Sequence, residues 1–196
     1  MATEEPAHTV SLQDGSFEVR EYPALVAAEV SVSGNRDEAA SAGFRLLAGY
    51  IFGGNTRRQS IAMTAPVVQS QQASQTEGRG ESIAMTAPVI QTENAGAWTV
   101  RFIMPSSYRI DTLPTPNDAR VKLIALPPSR YAVIKFSGLA KADDIEKQTA
   151  ELQRFIVKHK LSPIGPASLA RYNPPWTLWF MRRNEIMLPL ETAAAH

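Results

Sequence analysis

Ser60-Ile61-Ala62-Met63-Thr64-Ala65-Pro66-Val67 recurs, letter for letter, as Ser82-Ile83-Ala84-Met85-Thr86-Ala87-Pro88-Val89. Eight identical residues do not repeat by chance in a chain of 196. In each copy Ile, Met, Ala and Val alternate with Ala, Thr and Pro, the period-two pattern of a half-buried strand. Pro66 and Pro88 donate nothing to a ladder, which predicts a sheet edge or a bulge. Between the copies, residues 69–81 are too polar to bury a face and read as a loop joining a hairpin. Two readings follow: a duplicated strand that extends a sheet, or a strand whose Met63 and Met85 line a pocket for an apolar ligand.

Upstream, Phe17–Tyr22 and Ala24–Val32 read as one long strand bent at Pro23. A helix is predicted from Asn35, whose side chain can cap the first turn while Glu38 reaches back. Along it Ala40, Phe44, Leu47 and Ile51, with Gly43 and Tyr50 beside them, form an apolar stripe that ends at Gly53-Gly54-Asn55. Downstream, Trp98–Met104, Val121–Leu126 and Tyr131–Phe136 alternate as strands. A second helix is predicted over Asp143–Lys160, with Ile145, Leu152, Phe155, Ile156 and His159 on one face. The tail offers Ala170–Tyr172, a turn at Asn173-Pro174-Pro175, and then Thr177–Met181 and Glu185–Leu188 as strands, with Arg182–Glu185 as a charged turn between those two. The order strand, helix, strands therefore occurs twice, an α+β arrangement with both helices on one curved antiparallel sheet or barrel.

Composition narrows the function classes. Twenty Lys and Arg against 19 Asp and Glu, with no dense basic run, give no footprint for nucleic acid or an anionic membrane. The absence of cysteine excludes disulfides, thiolate ligands and covalent attachment of heme through a Cys pair. The first residues carry no secretory signature and no apolar run has membrane-spanning length, so the expectation is a soluble, cytoplasmic protein without membrane insertion. No Cys nucleophile, His-rich metal spacing, phosphate loop or Gly-x-Ser-x-Gly elbow is present, and an enzyme is not expected.

Seven short motifs in order resemble the SOUL heme-binding protein family. They are Val19–Tyr22, Gly43-Phe44 with Leu47 and Tyr50-Ile51, Gly54-Asn55, Met63–Val67, Phe102–Pro105, Phe136–Gly138 and Arg182–Glu185. The resemblance implies a duplicated β-α-β-β unit forming a distorted antiparallel β-barrel flanked by two helices. It also implies noncovalent binding of heme or a related tetrapyrrole in an apolar groove along the first helix. The corresponding organisation is a disordered start over residues 1–14, one domain over 15–191 with pseudo-repeats at about 15–105 and 118–191, and a frayed tail over 192–196.

Heme needs apolar walls, cations for its carboxylates and, optionally, an axial ligand. Phe44, Leu47, Ala48, Tyr50 and Ile51 on the helix, with Met63 and Met85 on the adjacent strands, are the candidate walls. Arg45, Arg57-Arg58, Arg171 and Arg182 are candidate carboxylate partners. Gly49 stands where some family members carry lysine, and Glu21 where some carry histidine. His159 is the weak candidate for a metal ligand, set against a structural role at a helix end, so a heme without a strong axial ligand is expected. The alternatives are an effector-binding or protein-interaction module of the same fold, with heme uptake incidental, and a tetrapyrrole-modifying enzyme.

Overall fold

The computed structural model describes residues 5–57, 61, 67–71, 97–173 and 177–192. The strands are β1 (Thr9–Asp14), β2 (Phe17–Tyr22), β3 (Leu25–Ser33), β4 (Val67–Gln71), β5 (Ala97–Ile103), β6 (Lys122–Leu126), β7 (Ser129–Ser137), β8 (Ser168–Arg171) and β9 (Arg183–Leu190). Helix α1 (Arg36–Ile51) follows β3, and α2 (Ala142–Lys158) follows β7. Among the described residues, nine strands join one antiparallel sheet in the order β1-β2-β7-β9-β8-β4-β5-β3-β6, curled into a half-barrel. The duplicated unit is visible in that order: β3-α1-β4-β5 and β7-α2-β8-β9 pair alike and meet at the β4–β8 seam.

The bend expected at Pro23 is a crossing. Tyr22 ends β2 opposite Ser129 of β7, whereas Leu25 opens β3 opposite Leu126 of β6. Pro23-Ala24 and Pro127-Pro128 thus connect corresponding strand pairs, and prolines without a donor release the ladder where the chain changes sides. Each half consequently carries a strand from the other repeat, which ties the halves into one sheet.

Three further expectations are corrected. Residues 9–14 are ordered as β1, because Asp14-Gly15-Ser16-Phe17 closes a two-residue hairpin loop on β2 with Gly15 at φ 60°. Trp179–Met181 forms a single 3-10 turn rather than part of a strand. Arg183–Glu185 belongs to β9, so Arg183 and Glu185 share a face instead of sitting in a turn. The second octapeptide copy, most of the first, Pro174-Pro175 and residues 193–196 lie outside the described residues.

Asn35 caps α1 as the sequence predicts: its side chain accepts from Asp37 and Glu38 N–H groups, and the Glu38 carboxylate accepts from Asn35 N–H. The helix lies on β3 and β5 through Leu47, Tyr50 and Ile51, packed with Ala28, Val30, Val100 and Phe102. Gly43 permits this approach, since a Cβ there would stand 2.6 Å from Val100 Cγ2. Helix α2 packs Leu152, Phe155 and Ile156 on β7 and β9 in a separate core with Ala132, Ile134, Ile186 and Leu188. Among the described residues, neither α1 nor α2 covers the opposite face of the sheet; there Tyr22, Val133, Ala170 and Met187 pack with Leu25, Val68, Tyr131 and Tyr172.

Candidate functional site

Alternation on α1 divides the expected groove residues into two groups. Leu47, Tyr50 and Ile51 are buried between helix and sheet, with Leu47 and Ile51 wholly inaccessible. Phe44, Leu46 and Ala48 are half-buried along the helix flank, and Phe52 is exposed just beyond its end. Phe44 meets Phe102 edge to face at 5.4 Å between ring centres. Arg45 is exposed, its Nε donating to Ser41 O at 3.4 Å. The helix thus spends one face on the core and leaves an aromatic and aliphatic flank toward solvent. Met63 and Met85 lie outside the described residues.

The C-terminal end of α1 is fastened to the segment after β5. Tyr50 Oη donates to Pro114 O at 2.9 Å, Thr56 N to Thr115 O at 3.0 Å and Asn117 N to Gly54 O at 3.0 Å. Burial pushes the Tyr50 phenol up to about 12. Because this group holds its proton more tightly when folded, its contribution is complete below the ordinary tyrosine value near 10 and is lost as pH rises toward 12. Tyr50→Phe is therefore expected to cost about 1 kcal/mol at neutral pH through the lost hydrogen bond, and to flatten the alkaline limb of a urea-stability profile.

The other end of α1 carries the cations. Burial lowers the Arg171 guanidinium below its usual value, with the Asp37 carboxylate opposing and the like charges of Arg36 and Arg182 adding to the shift. Arg36 opens α1, and Arg171, which ends β8, reaches the first turn of the helix at Asp37; Arg182 precedes β9 and donates Nε to Thr177 O at 2.8 Å. Asp37 stands 3.8 Å from Arg171, and Arg36 lies 5.6 Å from the centre of the Trp98 ring. Leu178, Trp179, Phe180 and Met181, all more than half exposed, run directly into Arg182. Arg57 is elsewhere, directed to Thr112 O at the far end of the helix.

His159 caps the C-terminus of α2 and packs on Phe155 at 4.5 Å between ring centres. Its Nε2 stands 3.9 Å from Asp14, a placement at the edge of the second core rather than beside α1. Among the described residues, no three or more His, Asp and Glu side chains gather as a metal cage, and no helix is long and apolar enough to cross a membrane.

Sequence reasoning missed a buried polar network on the helix-free face. Arg20, fully inaccessible in β2, donates Nη1 and Nη2 to the Glu185 carboxylate at 2.8 and 2.9 Å, Nε to Glu18 at 2.7 Å and Nη1 to Tyr22 Oη at 3.2 Å. Tyr172 Oη donates to Glu185 at 2.7 Å, Arg183 donates to the same carboxylate, and Lys135 pairs with Glu18. Burial alone would raise the Glu185 carboxyl, but Arg20, Tyr172 and Arg183 hold it below its usual value. The available signal was the strand alternation of Glu18, Arg20 and Tyr22 on one face; their partner lies 165 residues away in sequence.

The sequence profile of the SOUL heme-binding proteins matches residues 3–79 and 72–189, and the chain belongs to that family. No curated protein matches it in sequence. Among solved structures, the crystallised C-terminal domain of EcmrR is similar at a TM-score of 0.62 and 8% identity, with 90% of this chain and 98% of that one covered. EcmrR in a DNA complex gives 0.61 at 9% identity; the similarity covers 90% of this chain and 57% of the EcmrR chain. A protein described as a hydrolase from Listeria innocua gives 0.58 at 13% identity, over 92% and 94% of the two chains. At these identities the likeness is one of fold.

Proposed function

We propose that the protein binds heme or a related tetrapyrrole reversibly and without covalent attachment along the outer flank of α1. The half-buried flank of α1 at Phe44 and Ala48, with Arg171 beside Asp37 at the first turn of the same helix, is the observation that carries the reading within a SOUL family member. Phe44 and Ala48 offer apolar surface to the ring, and guanidinium groups suit its two carboxylates. Leu47, Tyr50 and Ile51 act from beneath, holding the helix at its height over β5. Bound heme would supply an iron centre in a flat aromatic disc; the chain's contribution is to shelter one face of it and neutralise its acids. Tyr50 is engaged with Pro114 and Tyr172 with Glu185, so the residue set fits the ring and its carboxylates better than the iron.

Hemin titration followed in the Soret region tests the cation assignment. Arg171→Gln combined with Arg182→Gln should weaken hemin roughly tenfold, the loss of two partly exposed ion pairs. Unchanged affinity in that variant removes the arginine group from the site.

A second reading, an effector-binding or interaction module with heme uptake incidental, draws on Gly49 and Glu21, which leave α1 without a lysine and β2 without a histidine. Hemin that fails to outcompete a generic hydrophobic dye would favour it. Turnover of a tetrapyrrole by the purified protein would instead bring forward an enzymatic role.

A further inference from the structure

We propose that the rim of the helix-free face at Arg183 is a binding site for a planar aromatic carboxylate, kept closed by the chain's own Glu5–His8 segment. Arg183 commits Nε and Nη2 to Glu185 Oε1, at 3.0 and 2.7 Å, and lays its guanidinium over the Tyr172 ring at 3.9 Å. Its Nη1 faces the other way and donates to both oxygens of Glu5, at 3.0 and 3.3 Å. Three residues on, the His8 ring lies 5.2 Å from the Tyr22 ring, and His8 Nδ1 sits 3.1 Å from Pro6 O, which folds the segment back on itself. One short stretch thus presents a carboxylate to a guanidinium and a flat ring to a tyrosine, the two chemical parts of an aromatic acid.

The two sides of this contact differ in strength. Beneath it, Tyr22 is hydrogen-bonded to buried Arg20, and Tyr172 to buried Glu185, so the receiving surface is set before anything binds. Above it, the Glu5–Arg183 pair is over a third exposed on both partners, the setting in which ion pairs are weak. Residues 5–8 precede β1 and take part in no strand pairing. A weakly held internal carboxylate on a rigid base is a displaceable competitor, and it acts at the millimolar effective concentration of a short tether. This site lies on the face opposite α1 and is independent of the tetrapyrrole reading.

The test uses 2-naphthoate as probe, by calorimetry and by amide and ring resonances of the full chain. Glu5→Gln removes the competing charge from an exposed position and should tighten 2-naphthoate roughly two- to sixfold, while 2-naphthylmethanol, the same ring without the acid, gains nothing. Adding Arg183→Lys, which keeps the charge but loses the fork, should abolish that gain in protein whose thermal unfolding shows it to be folded. In the wild type, 2-naphthoate should shift the His8 and Tyr22 ring signals as the segment leaves. Equal affinity in wild type and Glu5→Gln overturns the closure, and binding indifferent to Arg183→Lys overturns the site. Hemin affinity should be the same in wild type and Glu5→Gln; a parallel tightening would mean that naphthoate reports the tetrapyrrole site and would overturn a second one.

Discussion

Arg20→Met should lower stability by about 3–5 kcal/mol, the usual result of removing one partner from a buried ion pair. The variant leaves Glu185, fully inaccessible, with Arg183 and Tyr172 alone, and leaves Glu18 with Lys135. Urea unfolding gives the number directly, and at this chain length the melting temperature should fall by roughly 10 °C. Combining Arg20→Met with Glu185→Leu should restore part of the loss, because the buried carboxylate goes with its guanidinium while Arg183 keeps Glu5 and Glu18 keeps Lys135. The pH dependence has a definite sign. Burial would raise the Glu18 and Glu185 carboxyls, yet their hydrogen bonds and charge partners hold both below the ordinary 4.5. Their contribution is therefore present above 4.5 and is lost as pH falls through the lower folded values. Arg20→Met should flatten this acid limb, and an acid limb as steep as that of the wild type would show that other carboxylates dominate it.

Leu47→Ala should cost about 2–5 kcal/mol, because Leu47 is wholly buried in the core that α1 shares with Val100 and Phe102 of β5. Phe44→Ala should cost less, about 1–2 kcal/mol, since that ring is only half-buried and its main specific contact is the edge of Phe102. The order reverses for ligand. Below its melting temperature, Leu47→Ala should keep hemin affinity within about twofold, whereas Phe44→Ala should lose roughly tenfold, the transfer of about half an aromatic side chain back to water. Parallel denaturation and hemin titration of the two variants separate support from contact. A Leu47→Ala protein that is folded but blind to hemin would place Leu47 in the ligand's path.

Local chemistry was legible in the sequence and distant pairing was not. The Asn35–Glu38 capping box, the strand read at Trp98–Met104 and found at Ala97–Ile103, and the repeated strand-helix-strand order all follow from spacing within a few residues. Pro23 was visible as an interruption, but whether β2 and β3 stay together depends on β6 and β7, more than 90 residues downstream. The turn Asp14-Gly15 carries a short-range hairpin signal, overshadowed by the polarity of residues 1–14. Trp179–Met181 has strand-like composition, and a 3-10 turn there leaves its large apolar side chains exposed. For the site, the apolar stripe was correct as a helix face, but helical periodicity alone does not say which side chains are covered by the sheet and which flank solvent. Arg171 was identifiable as a cation; its place beside Asp37 at the first turn of α1 required the fold.

The claim that this SOUL family member carries a dedicated tetrapyrrole site is tested most directly by titrating the purified chain with hemin, in ferric and ferrous states, beside a nonspecific carrier protein. A sharp Soret band that saturates near one heme per chain, and that Phe44→Ala weakens, is the predicted result. A broad band that never saturates and is indifferent to Phe44 would contradict it.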